Sequence, residues 1–140
     1  MPHKETDLTY LAGLIDGEGC FSIVKSRTAF VPRILIVNTN KQLMVWLKRM
    51  FGGDVSCTVV KNHPKWKPRY QWRLANRKAL DLAYAICDKL IIKRDAAMVF
   101  ATYRAIIDVF PNKFERRELH QYLSDKLHEF NCKGILDANT

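Results

Sequence analysis

Apolar side chains at Leu8, Leu11, Ala12 and Ile15 recur at the spacing of one helix face, which predicts a helix over residues 7–17 with Asp7 as its cap. A second stripe of that helix carries Tyr10, Gly13, Leu14 and Gly17. Two glycines four residues apart strip the side chains from one patch, and each costs a helix about 1 kcal/mol, so the patch calls for a packing reason. After Gly19 the period changes to two. A strand is predicted over 20–27, with Phe21 and Ile23 on one face and Ser22, Val24 and Ser26 on the other. A loop containing Pro32 leads to a second strand over 33–39, which completes a hairpin.

Helical spacing returns over 41–51, with Leu43, Trp46, Leu47 and Met50 in one stripe, Asn40 as cap and Gly52-Gly53 as stop. A third strand is expected over 54–61 and a basic loop over 61–68. The fourth strand, over 69–74, alternates most cleanly: Tyr70 and Trp72 turn inward, while Arg69, Gln71 and Arg73 line the outside. Helices follow over 78–90, 95–110 and 114–130, and residues 132–140 are expected to fray. The order αββαββα is an α+β layout with helices on one face of an antiparallel sheet, followed by C-terminal helices. No linker divides the 140 residues, so one domain is expected, with its core at about 7–110.

Charge narrows the class of partner. A net charge of +9 favours an acidic polymer, because Lys and Arg release the counterions condensed on phosphates. No apolar run approaches the ~20 residues that span a bilayer, and the polar start MPHKETD has no secretory signal pattern, so a soluble intracellular protein with no membrane partner is expected. Cys20, Cys57, Cys87 and Cys132 are too scattered for a zinc site and read as small buried hydrophobes in a reducing compartment.

The nine residues Leu11-Ala12-Gly13-Leu14-Ile15-Asp16-Gly17-Glu18-Gly19 resemble the signature of the LAGLIDADG homing endonucleases, with Gly17 in place of Ala and Glu18 in place of the second Asp. The element order over the first hundred residues agrees with that resemblance. A carboxylate at the C-terminal end of a helix faces the negative pole of the helix dipole and is disfavoured unless a cation is near, which marks Glu18 as a metal-binding candidate. Asp16 reads instead as a group that hydrogen-bonds backbone at the helix terminus.

The resemblance implies a saddle-shaped sheet, site-specific double-strand DNA cleavage and Mg²⁺ as the cation. It also implies a homodimer packed through Tyr10, Gly13, Leu14 and Gly17, since single-motif members pair. Glu18 would be the catalytic metal ligand, with the Gly17 carbonyl beside it. Asn40 either caps its helix or contacts water near the metal, and Lys93 either is a surface lysine or stands near the scissile phosphate, with Arg94 able to substitute. Ser22, Val24, Ser26, Arg27, Arg33, Arg69, Gln71 and Arg73 become DNA-reading positions, and Lys61, Lys65 and Lys67 around Trp66 form a phosphate-tracking arm. A nine-residue strand spans about 30 Å, or roughly nine base pairs per subunit. Arg116 and Arg117 read as solvated charges. The implied role is intron or intein mobility through a pseudo-palindromic target. The alternatives are an RNA maturase acting on host intron RNA, and a non-catalytic DNA-binding regulator, which would lack the acid at Glu18.

Overall fold

The computed structural model describes residues 3–138 apart from Thr28, Val60, Pro64 and Pro111, with the side chains of 113–115 and 132–138 also outside the description. Its elements run α1 (Glu5–Glu18), β1 (Gly19–Lys25), β2 (Phe30–Asn38), α2 (Lys41–Phe51), β3 (Asp54–Thr58), β4 (Arg69–Ala75), α3 (Arg77–Ile86), a single 3-10 turn (Cys87–Lys89), α4 (Arg94–Val109) and α5 (Lys113–Ala138). The four strands form one antiparallel sheet in the order β1-β2-β4-β3.

One face of that sheet is the floor of the core. Phe21, Ile34, Ile36, Trp72 and Leu74 are buried there beneath Leu11 and Ile15 of α1, Leu47 of α2, Leu80 of α3 and Phe100 of α4. The period-two alternation expected for β1 and β4 puts these residues inward, as the sequence pattern predicts. Trp72 also donates its indole N–H to the Gly52 carbonyl at 2.8 Å, which fixes the end of α2 against β4. The following residue, Gly53, has φ +85°, and a Cβ there would strike the Arg73 carbonyl.

Several boundaries differ from expectation for identifiable reasons. α1 begins at Glu5, and its preceding residue, Lys4, supplies a backbone carbonyl to Leu8 N–H rather than a side-chain cap. Asp7 therefore lies inside the first turn, where its charge still suits the helix dipole. Pro32 is not in a loop but is buried within β2, opposite Ile23, and its carbonyl accepts from Asn76 N–H. Ser26 and Arg27 fall beyond β1, in the turn, where the Ser26 hydroxyl accepts from Ala29 N–H at 3.1 Å. β3 ends at Thr58, and of its expected continuation Val60 lies outside the described residues.

The buried face of α2 is set by Met44, Leu47 and Phe51, while Leu43, Trp46 and Met50 are only half-buried, so the stripe is rotated toward Met44. The helix expected over 78–90 tightens into the 3-10 turn after Ile86. α5 continues past the expected end to Ala138, and residues 139 and 140 lie outside the described residues, as does the Cys132 side chain. Cys20 and Cys57 are exposed rather than buried, Cys20 because it lies on the sheet face turned away from the core and Cys57 because it lies on the edge strand β3, and Cys87 is half-buried. No helix among the described residues is long and apolar enough to cross a membrane.

Candidate active site and nucleic-acid interface

The sheet face turned away from the helices is formed by the complementary set of strand positions. Opposite one another across β1 and β2 are Cys20 and Leu35, Ser22 and Arg33, and Val24 and Val31. Across β2 and β4, Arg33 faces Ala75, Leu35 faces Arg73 and Val37 faces Gln71. β3 continues the rows with Asp54 beside Arg73, Ser56 beside Gln71 and Thr58 beside Arg69. Ser22, Val24, Arg33, Arg69, Gln71 and Arg73 therefore share one surface. Leu35, Val37, Ser56 and Thr58, which are not among the expected DNA-reading positions, share that surface by the same alternation along β2 and β3.

Ser22 and Arg33 form a special pair within these rows. The Ser22 hydroxyl oxygen and the Arg33 Nε are both buried with no hydrogen-bond partner in the protein. Polar atoms in that condition cost about 1–3 kcal/mol each unless a bound group satisfies them. Beyond the strands, Lys61, Lys65 and Lys67 are exposed in the β3–β4 loop. Trp66 in that loop is stacked on His63, ring centroids 3.9 Å apart and 8° from parallel.

At the other end of the hairpin, α1 delivers Glu18 to the start of β1. The turn between them depends on Gly19: a Cβ there would lie 2.7 Å from the Ile15 Cα, inside any tolerable contact. Glu18 is exposed, and Asn38, the last residue of β2, donates its side-chain amide to Glu18 Oε2 at 2.8 Å. The Asn38 Oδ1 in turn accepts from Asn40 N–H at 2.8 Å. Asn40 itself caps α2, its side chain accepting from Leu43 N–H at 3.1 Å. The carboxylate's neighbour is thus Asn38, which sequence reading passed over in favour of Asn40. Only the β1–β2 register, which ends β2 beside the start of β1, brings Asn38 there.

Asp16 does what its helix-end position suggests. Its carboxylate accepts from the backbone N–H groups of Ile91, Ile92 and Lys93 at 2.8, 3.2 and 2.9 Å. Burial pushes the Asp16 carboxyl up, but these N–H donors, helped by the Lys93 charge, outweigh burial and hold it below its usual value. The Lys93 ammonium donates to the carbonyls of Ile15 and Asp16 at 2.9 and 3.0 Å, so it stands on the C-terminal carbonyls of the helix that ends in Glu18. Arg94 points instead to the Asp88 carbonyl at 3.4 Å.

The glycine stripe of α1 is bare. Gly13 and Gly17 are exposed, and a Cβ built on either meets nothing within 4 Å. Tyr10, on the same stripe, is 58% exposed and packs edge-on against Trp46 at 5.2 Å, while Leu14 is half-buried.

Residues 11–94, more than half of the chain, match the LAGLIDADG endonuclease family. The chain belongs to the LAGLIDADG endonucleases. Its fold agrees with solved members. An archaeal intron-encoded homing endonuclease, I-Vdi141I, complexed with DNA, superposes with a TM-score of 0.71 at 16% identity over 91% of this chain and 86% of that one. The homing endonuclease I-CvuI, in complex with its target in the presence of Ca, gives 0.68 at 17% identity over 89% and 82%. The LAGLIDADG meganuclease I-AabMI, bound to uncleaved DNA, gives 0.59 at 22% identity over 84% of this chain but only 43% of its own. A comparison with curated proteins finds no match. The LAGLIDADG helix is α1, and the signature's acidic end is the Asp16 to Glu18 segment just described.

Metal fit follows from the donor set. Among the described residues, no three His, Cys, Asp or Glu side chains gather closely enough to hold a metal ion. The exposed Glu18 carboxylate and the Gly17 backbone beside it offer oxygen donors only. That suits a hard cation that retains water and takes its remaining ligands from phosphate or from a second copy of the same helix.

Proposed function

We propose that this LAGLIDADG endonuclease is a homing endonuclease that cuts both strands of a long pseudo-palindromic duplex as a homodimer. The observation that carries the reading is the exposed Glu18 carboxylate, held by Asn38 at the end of a helix whose glycine face stands open. Two copies packed through Gly13 and Gly17 would bring two Glu18 carboxylates together near a twofold axis. The chain covers most of I-Vdi141I and less than half of I-AabMI, which supports a pair of copies as the complete unit.

Each strand is cut by water adding at phosphorus while the bond to the 3′ oxygen breaks, leaving a 5′-phosphate and a 3′-hydroxyl. A Mg²⁺ ion, when bound by Glu18 and the Gly17 carbonyl, would supply the positive charge that favours attack and shields the phosphate. Asn38 orients the Glu18 carboxylate. Lys93 fixes the last turn of α1 and adds positive charge beside the site.

Ser22, Val24, Arg33, Arg69, Gln71 and Arg73 face the major groove, where Arg and Gln make paired hydrogen bonds to guanine and adenine edges. The Ser22 hydroxyl and Arg33 Nε have no partner within the protein, which supports a bound group on that face. Ser26 and Arg27 in the hairpin turn, with Lys61, Lys65 and Lys67, contact phosphates toward the flanks. The biological outcome is insertion of the host intron or intein by repair of the break.

Sedimentation of the chain with a cleavable target duplex tests the assembly. A species of two subunits per duplex is expected. One subunit per duplex at saturating protein contradicts the symmetric arrangement.

A further inference from the structure

At the turn end of the β1–β2 hairpin, away from Glu18, a cavity of about 510 Å³ opens between the sheet, α3, α4 and α5. Its size is that of a small-molecule site, typically ~300–1,000 Å³. Phe30, Leu80 and Ile107 give it an apolar floor, and among the described residues no carboxylate lines it. Arg77 at its edge is tied to Asp81 and Asp108, which engage its charge, and Lys25 donates to the neutral Gln121 amide.

Two other polar residues are different. Arg116, expected to be a solvated charge, is 9% exposed, and its Nε has no hydrogen-bond partner. His120, one turn further along α5, is also 9% exposed with an unpartnered Nε2. The ring of His120 is stacked on Tyr103 with centroids 4.7 Å apart, and its Nδ1 lies 3.5 Å from the Tyr103 hydroxyl. The Tyr103 hydroxyl donates to the Phe30 carbonyl at 3.3 Å, so Nδ1 carries the ring proton toward that hydroxyl oxygen, and Nε2 becomes a second donor beside the Arg116 Nε–H when the ring takes up a proton with a bound anion. Both line the cavity, with Arg27 and Arg117 at its margin.

We propose that this cavity binds a small phosphate monoester carrying a flat apolar body, the chemistry of a nucleoside monophosphate. The phosphate is held by Arg116 Nε–H and His120 Nε2–H, and the body lies against Phe30, Leu80 and Ile107. Arg27, Arg116 and Arg117, with no carboxylate among the described lining residues, suit a doubly charged head. The cavity lies on the helix side of the sheet, behind the face offered to DNA, so a duplex laid on the outer face does not enter it.

The test is titration of the full chain with adenosine monophosphate, and separately with adenosine and inorganic phosphate, followed by calorimetry and by the NMR signal of the Arg116 side-chain N–H. Saturable binding of the monophosphate is expected, at least tenfold tighter than either half, with that N–H signal shifted. Arg116→Gln should weaken it at least tenfold while leaving affinity for a duplex unchanged. Ile107→Trp narrows the cavity over its apolar floor without altering charge, and should weaken binding at least tenfold even if Arg116→Gln does not fold. Absence of monophosphate binding at millimolar concentration, or equal binding by wild type and Ile107→Trp, overturns the proposal. So does a loss of duplex affinity in Arg116→Gln without monophosphate binding by wild type, which would assign Arg116 to the DNA backbone.

Discussion

Asp16 and Lys93 hold each other's helix ends: the Asp16 carboxylate takes the N–H groups leading into α4, and the Lys93 ammonium takes the carbonyls ending α1. The first interaction satisfies backbone donors of the 91–93 segment, and the second places positive charge at the negative end of the helix dipole. Together they fix the angle at which α1 presents Glu18.

Replacing Asp16 with Asn keeps the size but removes the charge and one acceptor. Hydrogen bonds to charged groups contribute about 1.5–3 kcal/mol, so urea unfolding of Asp16→Asn should show a loss of that order. The Asp16 carboxyl is held below its usual 3.8, so its stabilisation is complete above that pH and disappears as pH falls through the lowered value. An unchanged midpoint in Asp16→Asn would leave the clamp without energetic weight.

Asn38 and Asn40 separate in their effects. Asn38→Ala removes the amide that holds Glu18 Oε2, and loss of a group that orients a metal ligand typically costs 10–100-fold in activity. Asn40→Ala removes the α2 cap, about 1 kcal/mol of stability, and leaves the cleavage rate close to wild type. Single-turnover cleavage and thermal melting of the two variants check this together. A rate loss in Asn40→Ala larger than in Asn38→Ala reverses the assignment.

His120 makes stability fall on mild acidification. Burial, with the nearby Arg116 charge, holds its ring below the ordinary value of 6.5, so the unfolded chain takes up a proton more readily than the folded one. Stability from this group is therefore unaffected above about pH 6.5 and declines as pH drops below it. Denaturant midpoints between pH 7.5 and 5 should show that decline in wild type and a shallower one in His120→Gln. Parallel slopes would mean that His120 is not the source.

The sequence carried the architecture because most of it is written in local periods. Trp72 and Leu74 in β4 and the helically spaced Leu8, Leu11 and Ile15 in α1 are buried as the pattern requires, with Tyr70 half-buried against them. What was not legible depends on contacts distant in sequence. Pro32 looked like a loop residue because its partner, Asn76 N–H, lies in a distant part of the chain. Asn38 sits next to Glu18 only through the β1–β2 register, which a linear reading does not display. Arg116 looked solvated because the walls that bury it come from the hairpin and from α3 and α4. In the candidate site, Glu18 was marked by its motif, and Asp16 by its place at a helix end.

The central claim is that Glu18 makes this fold a nuclease centre, and cleavage by wild type and Glu18→Gln on the same duplex tests it most directly. With Mg²⁺ and a target selected from a library of candidate insertion sites, wild type should cut both strands, while Glu18→Gln should bind the duplex comparably and cut at least a hundredfold more slowly. Equal cutting rates for the two proteins would contradict the account.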